Sequence, residues 1–130
     1  MEVNLASQLT MPMTFHDRSG KPVAYTEDDV HIFLYSGYPV GYLYDGSVYS
    51  YSGRHLGTVR TGWLRDHAGG CVFFTDEATT GGPPVPPKLV KPPKLLKKPK
   101  PPKGRREAPP PRAADASEWS QHSSETFFIS

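Results

Sequence analysis

Cysteine is nearly absent from this 130-residue chain. Cys71 stands alone, so no intrachain disulfide can form, and a small apolar core residue is the role expected for it. A metal centre needs several ligands of the right type at suitable spacing. One cysteine and five scattered histidines (His16, His31, His55, His67 and His122) do not supply them, so no metal and no other cofactor is expected. His16, His55 and His67 fall in or beside turn-like segments, which favours exposed or turn-bonding roles. Long apolar runs are lacking as well. No stretch reaches the roughly 18 apolar residues of a membrane span. The first twenty residues hold no apolar core of a secretory signal. A cytoplasmic protein without a membrane span is the expectation. Residues 1–12 read as an unstructured lead, with Met11 and Met13 as alternative starts.

Positive charge and proline are scarce everywhere but in one segment. Residues 83–112 hold ten of the fifteen Lys/Arg, twelve of the fifteen prolines and one acid, Glu107. The overall charge of +2 therefore divides into +9 there and −7 elsewhere. A partner inferred from the total would be misleading, because the basic charge is local.

What fills the front half is a repeat of one short pattern. It runs FHDRSGKPVAY (15–25), IFLYSGYPVGY (32–42), VYSYSGRHLGT (48–58) and LRDHAGGCVFF (64–74). Aligned on Gly20, Gly37, Gly53 and Gly69, the copies carry an aliphatic three residues later: Val23, Val40, Leu56, Val72. Five residues before the glycine lies Phe15, Ile32, Val48 or Leu64. Ser-Gly or Ala-Gly at each turn supplies the positive-φ position of a tight hairpin. Between copies, Glu27-Asp28-Asp29, Asp45-Gly46 and Thr61-Gly62 supply further turns, and Asp-Gly is a strong hairpin signal. Helix is disfavoured because glycine and proline punctuate this half and Tyr, Val, Phe and Thr dominate the rest. The fold class is therefore all-β, built from four short hairpins over residues 13–80. A domain of this size buries only about 60% of its unfolded surface, so self-association is plausible, although the span is expected to fold by itself. Four residues after the turn glycine comes a second small position: Ala24, Gly41 and Gly57, with Phe73 in copy four. Close backbone approach around an axis and a set of β-bulges both fit it.

The succession GKPVAY, GYPVGYLYDGSVYSYSGRHLGT and GWLRDHAGGCVFFT resembles the small bacterial proteins described as four-fold β-flower proteins. A Pro/Lys segment and a final aromatic peptide strengthen the likeness. The resemblance implies four hairpins set as petals round a pseudo-four-fold axis, and it carries over no catalytic or binding residues. Copy one departs most, with Arg18 where copies two and three have Tyr35 and Tyr51.

Residues 81–112 cannot bury a core and read as an extended polyproline-II spacer. No aromatic is interleaved with its lysines, so base stacking and specific nucleic-acid binding are not expected. Residues 113–130 read as a disordered tail ending in SEWSQHSSETFFIS. Exposed aromatics are costly unless covered, which makes Trp119, Phe127 and Phe128 the candidate residues for binding an unidentified protein partner. Asp17 and Asp66 occupy equivalent repeat positions. Paired carboxylates can serve glycoside hydrolysis, but an Asp before a hairpin turn more often bonds backbone N–H groups. With no nucleophile elbow or phosphate loop, the chain is not expected to be an enzyme. The sequence favours a protein-interaction module: a rigid β platform, a spacer and a docking peptide. Small-ligand or carbohydrate binding by Tyr25, Tyr42, Tyr44, Tyr49, Tyr51 and Trp63 is the alternative.

Overall fold

Each copy of the repeat closes on itself as an antiparallel hairpin, because its apolar positions alternate and its turn glycine reverses the chain. In the computed structural model, which describes residues 13–78, 80–122, 124 and 126–129, the strands are β1 (Met13–His16), β2 (Pro22–Thr26), β3 (His31–Leu34), β4 (Pro39–Tyr44), β5 (Ser47–Tyr49), β6 (His55–Arg60), β7 (Trp63–Arg65) and β8 (Cys71–Phe74). They pair in chain order, and His16 of β1 pairs with Phe74 of β8 to close the barrel. Closure removes the sheet edges that would otherwise invite aggregation. The lead, residues 1–12, lies outside the described residues.

Gly20, Gly37, Gly53 and Gly69 have φ of 87°, 98°, 101° and 89°. At the other end of the barrel Asp45-Gly46 and Thr61-Gly62 both place two successive residues at positive φ, the type I′ geometry that matches strand twist. A register shift recurs at one place in all four copies: Phe15/His16, Ile32/Phe33, Val48/Tyr49 and Leu64/Arg65. Beside these bulges, a Cβ on Gly41 would stand 2.7 Å from the Tyr49 carbonyl, and one on Gly57 would collide with the Arg65 carbonyl. Bulge and close approach thus go together in the third and fourth hairpins, where the Tyr49 and Arg65 carbonyls at the bulges face the glycine of the hairpin before.

The interior is lined by Phe15, Ile32, Val48 and Leu64 from the first strand of each hairpin, with Ala24 and Phe73 from the second. Two residues far along the chain, Phe127 and Phe128, complete this cluster from a single 3-10 turn, Phe127–Ile129. The tail expected to be disordered is seated on the barrel.

Candidate functional site

The basic segment expected to hold head and tail apart runs along the barrel instead. It is extended, without helix or strand from 83 to 116, and it meets every hairpin turn in order. The N–H groups of Leu89, Lys98, Glu107 and Ala116 donate to the carbonyls of Gly20, Gly37, Gly53 and Gly69 at 2.8–3.1 Å. The interval is nine residues each time, which is three turns of a polyproline-II helix. Glycine is required at these turns for a second reason. A Cβ on any of the four would collide with the carbonyl of Pro87, Leu96, Arg105 or Ala114, again nine residues apart.

A finer period of three divides this strap into rows. The donor row holds Leu89, Leu95, Lys98, Gly104 and Glu107, with Leu95 and Gly104 donating to Tyr35 and Tyr51. Its remaining members between 89 and 107 are Pro92 and Pro101, which have no N–H to leave unsatisfied. The next row is basic throughout: Lys88, Lys91, Lys94, Lys97, Lys100, Lys103 and Arg106. Lys94, Lys97, Lys103 and Arg106 lie over the seams between hairpins, where strand pairing sets Tyr25 against Phe33 and Tyr42 against Tyr49. Lys94 Nζ is 4.5 Å from the Tyr25 ring centroid and 2.9 Å from Glu27, which Lys97 also contacts at 2.8 Å. Lys103 Nζ lies 4.6 Å from the Tyr42 ring and the Arg106 guanidinium 3.6 Å from Tyr44. An exposed cation–π contact contributes about 0.5–1 kcal/mol.

At the third seam the chemistry inverts. Strand pairing there sets Thr58 against Arg65, and the strap brings acids rather than lysines. Asp115 reaches Arg60 at 3.1 Å and Arg65 Nε at 3.6 Å. Glu107 accepts the His55 backbone N–H at 2.8 Å. The buried Arg65 donates to the carbonyls of Gly69 (2.8 Å), Ala116 (2.7 Å) and Gly81 (2.7 Å), joining its own turn to both ends of the strap. A lysine cannot reproduce this planar fork. Arg65→Lys is expected to lower stability by about 2 kcal/mol, read as a shift of the urea midpoint at unchanged slope.

The tail follows the strap onto the barrel. Trp119 bridges Cys71 of β8 in parallel, through Cys71 N–H to Glu118 O (3.0 Å) and Ser120 N–H to Cys71 O (2.8 Å). Its ring packs against Trp63 and Phe74, with centroids 5.9 and 6.2 Å away. Phe127 and Phe128 lie 5.9 and 5.6 Å from Phe73. They occupy the space left by the glycines of β4 and β6: a Cβ on Gly57 would be 3.2 Å from Phe127, and one on Gly41 3.8 Å from Phe128. Trp119, Phe127 and Phe128, read from the sequence as partner-binding, are therefore docked on their own barrel. A cavity of about 410 Å³ remains beside them, lined by Val23, Leu34, Val40, Lys21, Phe128 and Ile129. A second, of about 580 Å³ and mixed lining, lies between Arg18, Trp119 and His122.

The other candidate residues are engaged structurally. Asp17 Oδ1 accepts from the N–H groups of Ser19 (2.9 Å) and Lys21 (3.0 Å). Asp66 Oδ1 accepts from Ala68 and Gly70, both at 2.9 Å, and Asp66 Oδ2 from the Ser120 hydroxyl. Tyr25, Tyr42, Tyr49, Tyr51 and Trp63 are buried, and of the six aromatics named for ligand stacking Tyr44 alone is exposed, beneath Arg106. Among the described residues no group of three or more His, Cys, Asp or Glu could hold a metal ion. Cys71 is buried, and its burial pushes the thiol up.

His16 and His55, expected to be exposed or turn-bonding, are buried. His16 is buried and stacked on Phe74 at 5.1 Å, and burial holds its pKa below the usual imidazole range. His55 is buried between Ser47 Oγ and His67 Nε2, each at 3.0 Å. Burial lowers its pKa, and the neighbouring His67 lowers it further. A histidine held low in the fold binds its proton more readily when unfolded, so stability rises with pH. This contribution is complete above the unfolded value of about 6.5 and is lost as pH falls through and below it. Glu27, held low by Lys97 and Lys94, and Asp76, held low by Lys88, fail only near the unfolded carboxylate values of about 4. The melting temperature is therefore expected to fall between about pH 7 and pH 5, before the carboxylates titrate. A flat profile in thermal melts across that window contradicts this assignment.

Sequence reasoning missed the strap contacts, although a signal was present. Pro-Pro recurs at 92–93, 101–102 and 110–111, and a basic residue stands at every third position from 88 to 106. A family model described as "4-fold beta flower protein" matches residues 13–128, taking in barrel, strap and tail. No curated protein and no solved structure gives a match.

Proposed function

Starting from a chain that belongs to the four-fold β-flower family, we propose that it works as a non-enzymatic protein-interaction module. In this reading a rigid barrel carries a groove, and the strap-borne C-terminal peptide is the docking element made for it. One observation carries it: Phe127 and Phe128 fill space beside Gly41 and Gly57 that no barrel side chain occupies. A peptide and its fitted groove on one chain can close within a copy, as here, or between copies through exchange of the tail. Asp17 and Asp66 support the non-enzymatic part, since both are engaged in turn and tail hydrogen bonds. The cytoplasmic setting expected from the sequence belongs to the same proposal. Among the described residues no helix is long and apolar enough to cross a membrane.

The test uses full-length protein carrying Phe127→Ala/Phe128→Ala, which empties the groove, and a labelled peptide of residues 117–130. Saturable binding that weakens at least about tenfold with a Trp119→Ala/Phe128→Ala peptide is expected. Equal binding of the two peptides, or none, overturns the reading. Should the variant not fold, two differently labelled copies of the natural chain are mixed instead. Exchange of tails between them, seen as energy transfer between tail and barrel labels, is then the expected result, and its absence counts against the proposal.

A further inference from the structure

The side chains of the third row of the strap face neither turns nor seams. It runs Val90, Pro93, Leu96, Pro99 and Pro102, and it points away from the barrel. Val90 is 92% exposed and Leu96 88%. The two are six residues apart, two polyproline-II turns, and so share a face. Both lie on the span between the anchors at Gly20 and Gly37. Leu89 and Leu95, each more than half exposed, stand beside them on the same span, as does Tyr38 under Lys98. The later spans, 99–116, carry no leucine, valine or isoleucine. One side of the barrel thus gathers most of its exposed aliphatic surface.

That side is also strongly cationic. Lys88, Lys91, Lys94, Lys97 and Lys98 all fall on it, and the carboxylates that meet them belong to Asp76 and Glu27. Exposed aliphatics in a monomer mark a contact surface. Interleaved with five lysines that meet only two carboxylates, they match a surface that is negative at its face and apolar just beneath. We propose that the strap between Leu89 and Lys98 is a docking edge for an anionic lipid bilayer, with Val90 and Leu96 entering the headgroup boundary and the lysines meeting lipid phosphates. Three features support a lipid surface over a nucleic acid. The outermost side chains are aliphatic rather than aromatic, base stacking has no ring to use on this row, and a strap already fixed on the barrel loses little freedom on docking. Membrane binding of this kind needs both components, since basic residues add attraction within about a Debye length and buried apolar area supplies the rest.

The test is flotation of the full chain with vesicles of phosphatidylcholine alone and of phosphatidylcholine mixed with phosphatidylglycerol. Binding is expected to the mixed vesicles and to be weak or absent on the neutral ones. Val90→Ser/Leu96→Ser should lower the partition coefficient about tenfold. Lys91→Glu/Lys98→Glu should abolish binding, and added salt should weaken it in the natural chain. All four side chains are exposed, so unchanged far-UV spectra should accompany both variants, and loss of the Lys98 contact with Tyr38 should move the melting temperature only slightly. No partition into the mixed vesicles overturns the proposal. So does binding indifferent to the aliphatic pair, or competed away by duplex DNA with no such dependence, because either outcome makes the strap a general polycation.

Discussion

Replacing Phe127 and Phe128 together with alanine should cost the protein at least about 5 kcal/mol, a large part or all of its folding stability. The figure follows from burial. Both rings belong to the same cluster as Phe15, Ile32, Val48 and Leu64, with Phe127 2% and Phe128 8% exposed. A single Phe→Ala change in a core costs about 3–5 kcal/mol, and two touching residues are not strictly additive. The pair is in contact, with ring centroids 5.2 Å apart. The vacated volume cannot be refilled from the barrel, since the facing positions are Gly41 and Gly57. Chemical denaturation followed by tryptophan fluorescence measures the loss. A decrease under about 1 kcal/mol would mean that the tail rests on the surface rather than in the core. Residues 13–80 alone, read from the sequence as folding by themselves, are therefore expected to be much less stable than the full chain. That span lacks two of its buried core rings and the Trp119 cover over Trp63 and Phe74.

Gly53→Val should be the most damaging single change at a turn, costing about 3 kcal/mol or more. Two causes act together. At φ of 101° a β-branched residue is strained, and its Cβ would occupy the position of the Arg105 carbonyl. The turn must distort or the strap must lift, and lifting breaks the bond from Glu107 N–H to Gly53 O (2.8 Å). Ser52→Ala is the control. Ser52 is exposed, and its hydroxyl bonds only Ser50 Oγ at 2.8 Å among the described residues, so its effect should stay within about 0.5 kcal/mol. Equal melting temperatures for the two variants would contradict the role given to the glycine.

The hairpins were legible because their signals are local. Gly53 announces a turn by lacking a Cβ, and Asp45-Gly46 announces one by tolerating positive φ at both positions. Val48 and Leu56 mark the buried face at fixed distances from the same glycine. The strap was less legible because composition and contact point in opposite directions. Proline and lysine pointed to a segment without regular structure, and residues 83–112 hold neither helix nor strand. They did not show that an extended chain satisfies its remaining N–H groups on the turn carbonyls of another element. Lys94 and Lys103 looked like solvated charges until pairing set Tyr25 beside Phe33 and Tyr42 beside Tyr49. The tail was half legible. Trp119, Phe127 and Phe128 were marked as residues that need covering, but the cover of the two phenylalanines lies beside Gly41 and Gly57 and that of Trp119 on Trp63 and Phe74, and no single-residue signal reports that geometry.

Barrel, strap and tail form one fold, and amide hydrogen exchange on the full chain tests this most directly. The N–H groups of Leu89, Leu95, Lys98, Gly104, Glu107 and Ala116 each donate to a carbonyl at or beside a hairpin turn. They should exchange far more slowly than an unstructured chain, with protection recurring at nine-residue intervals, while exposed strap amides without such a partner exchange fast. Free-coil exchange at all six, alongside protected amides in β1 to β8, would show an isolated barrel trailing a loose chain and would contradict the account.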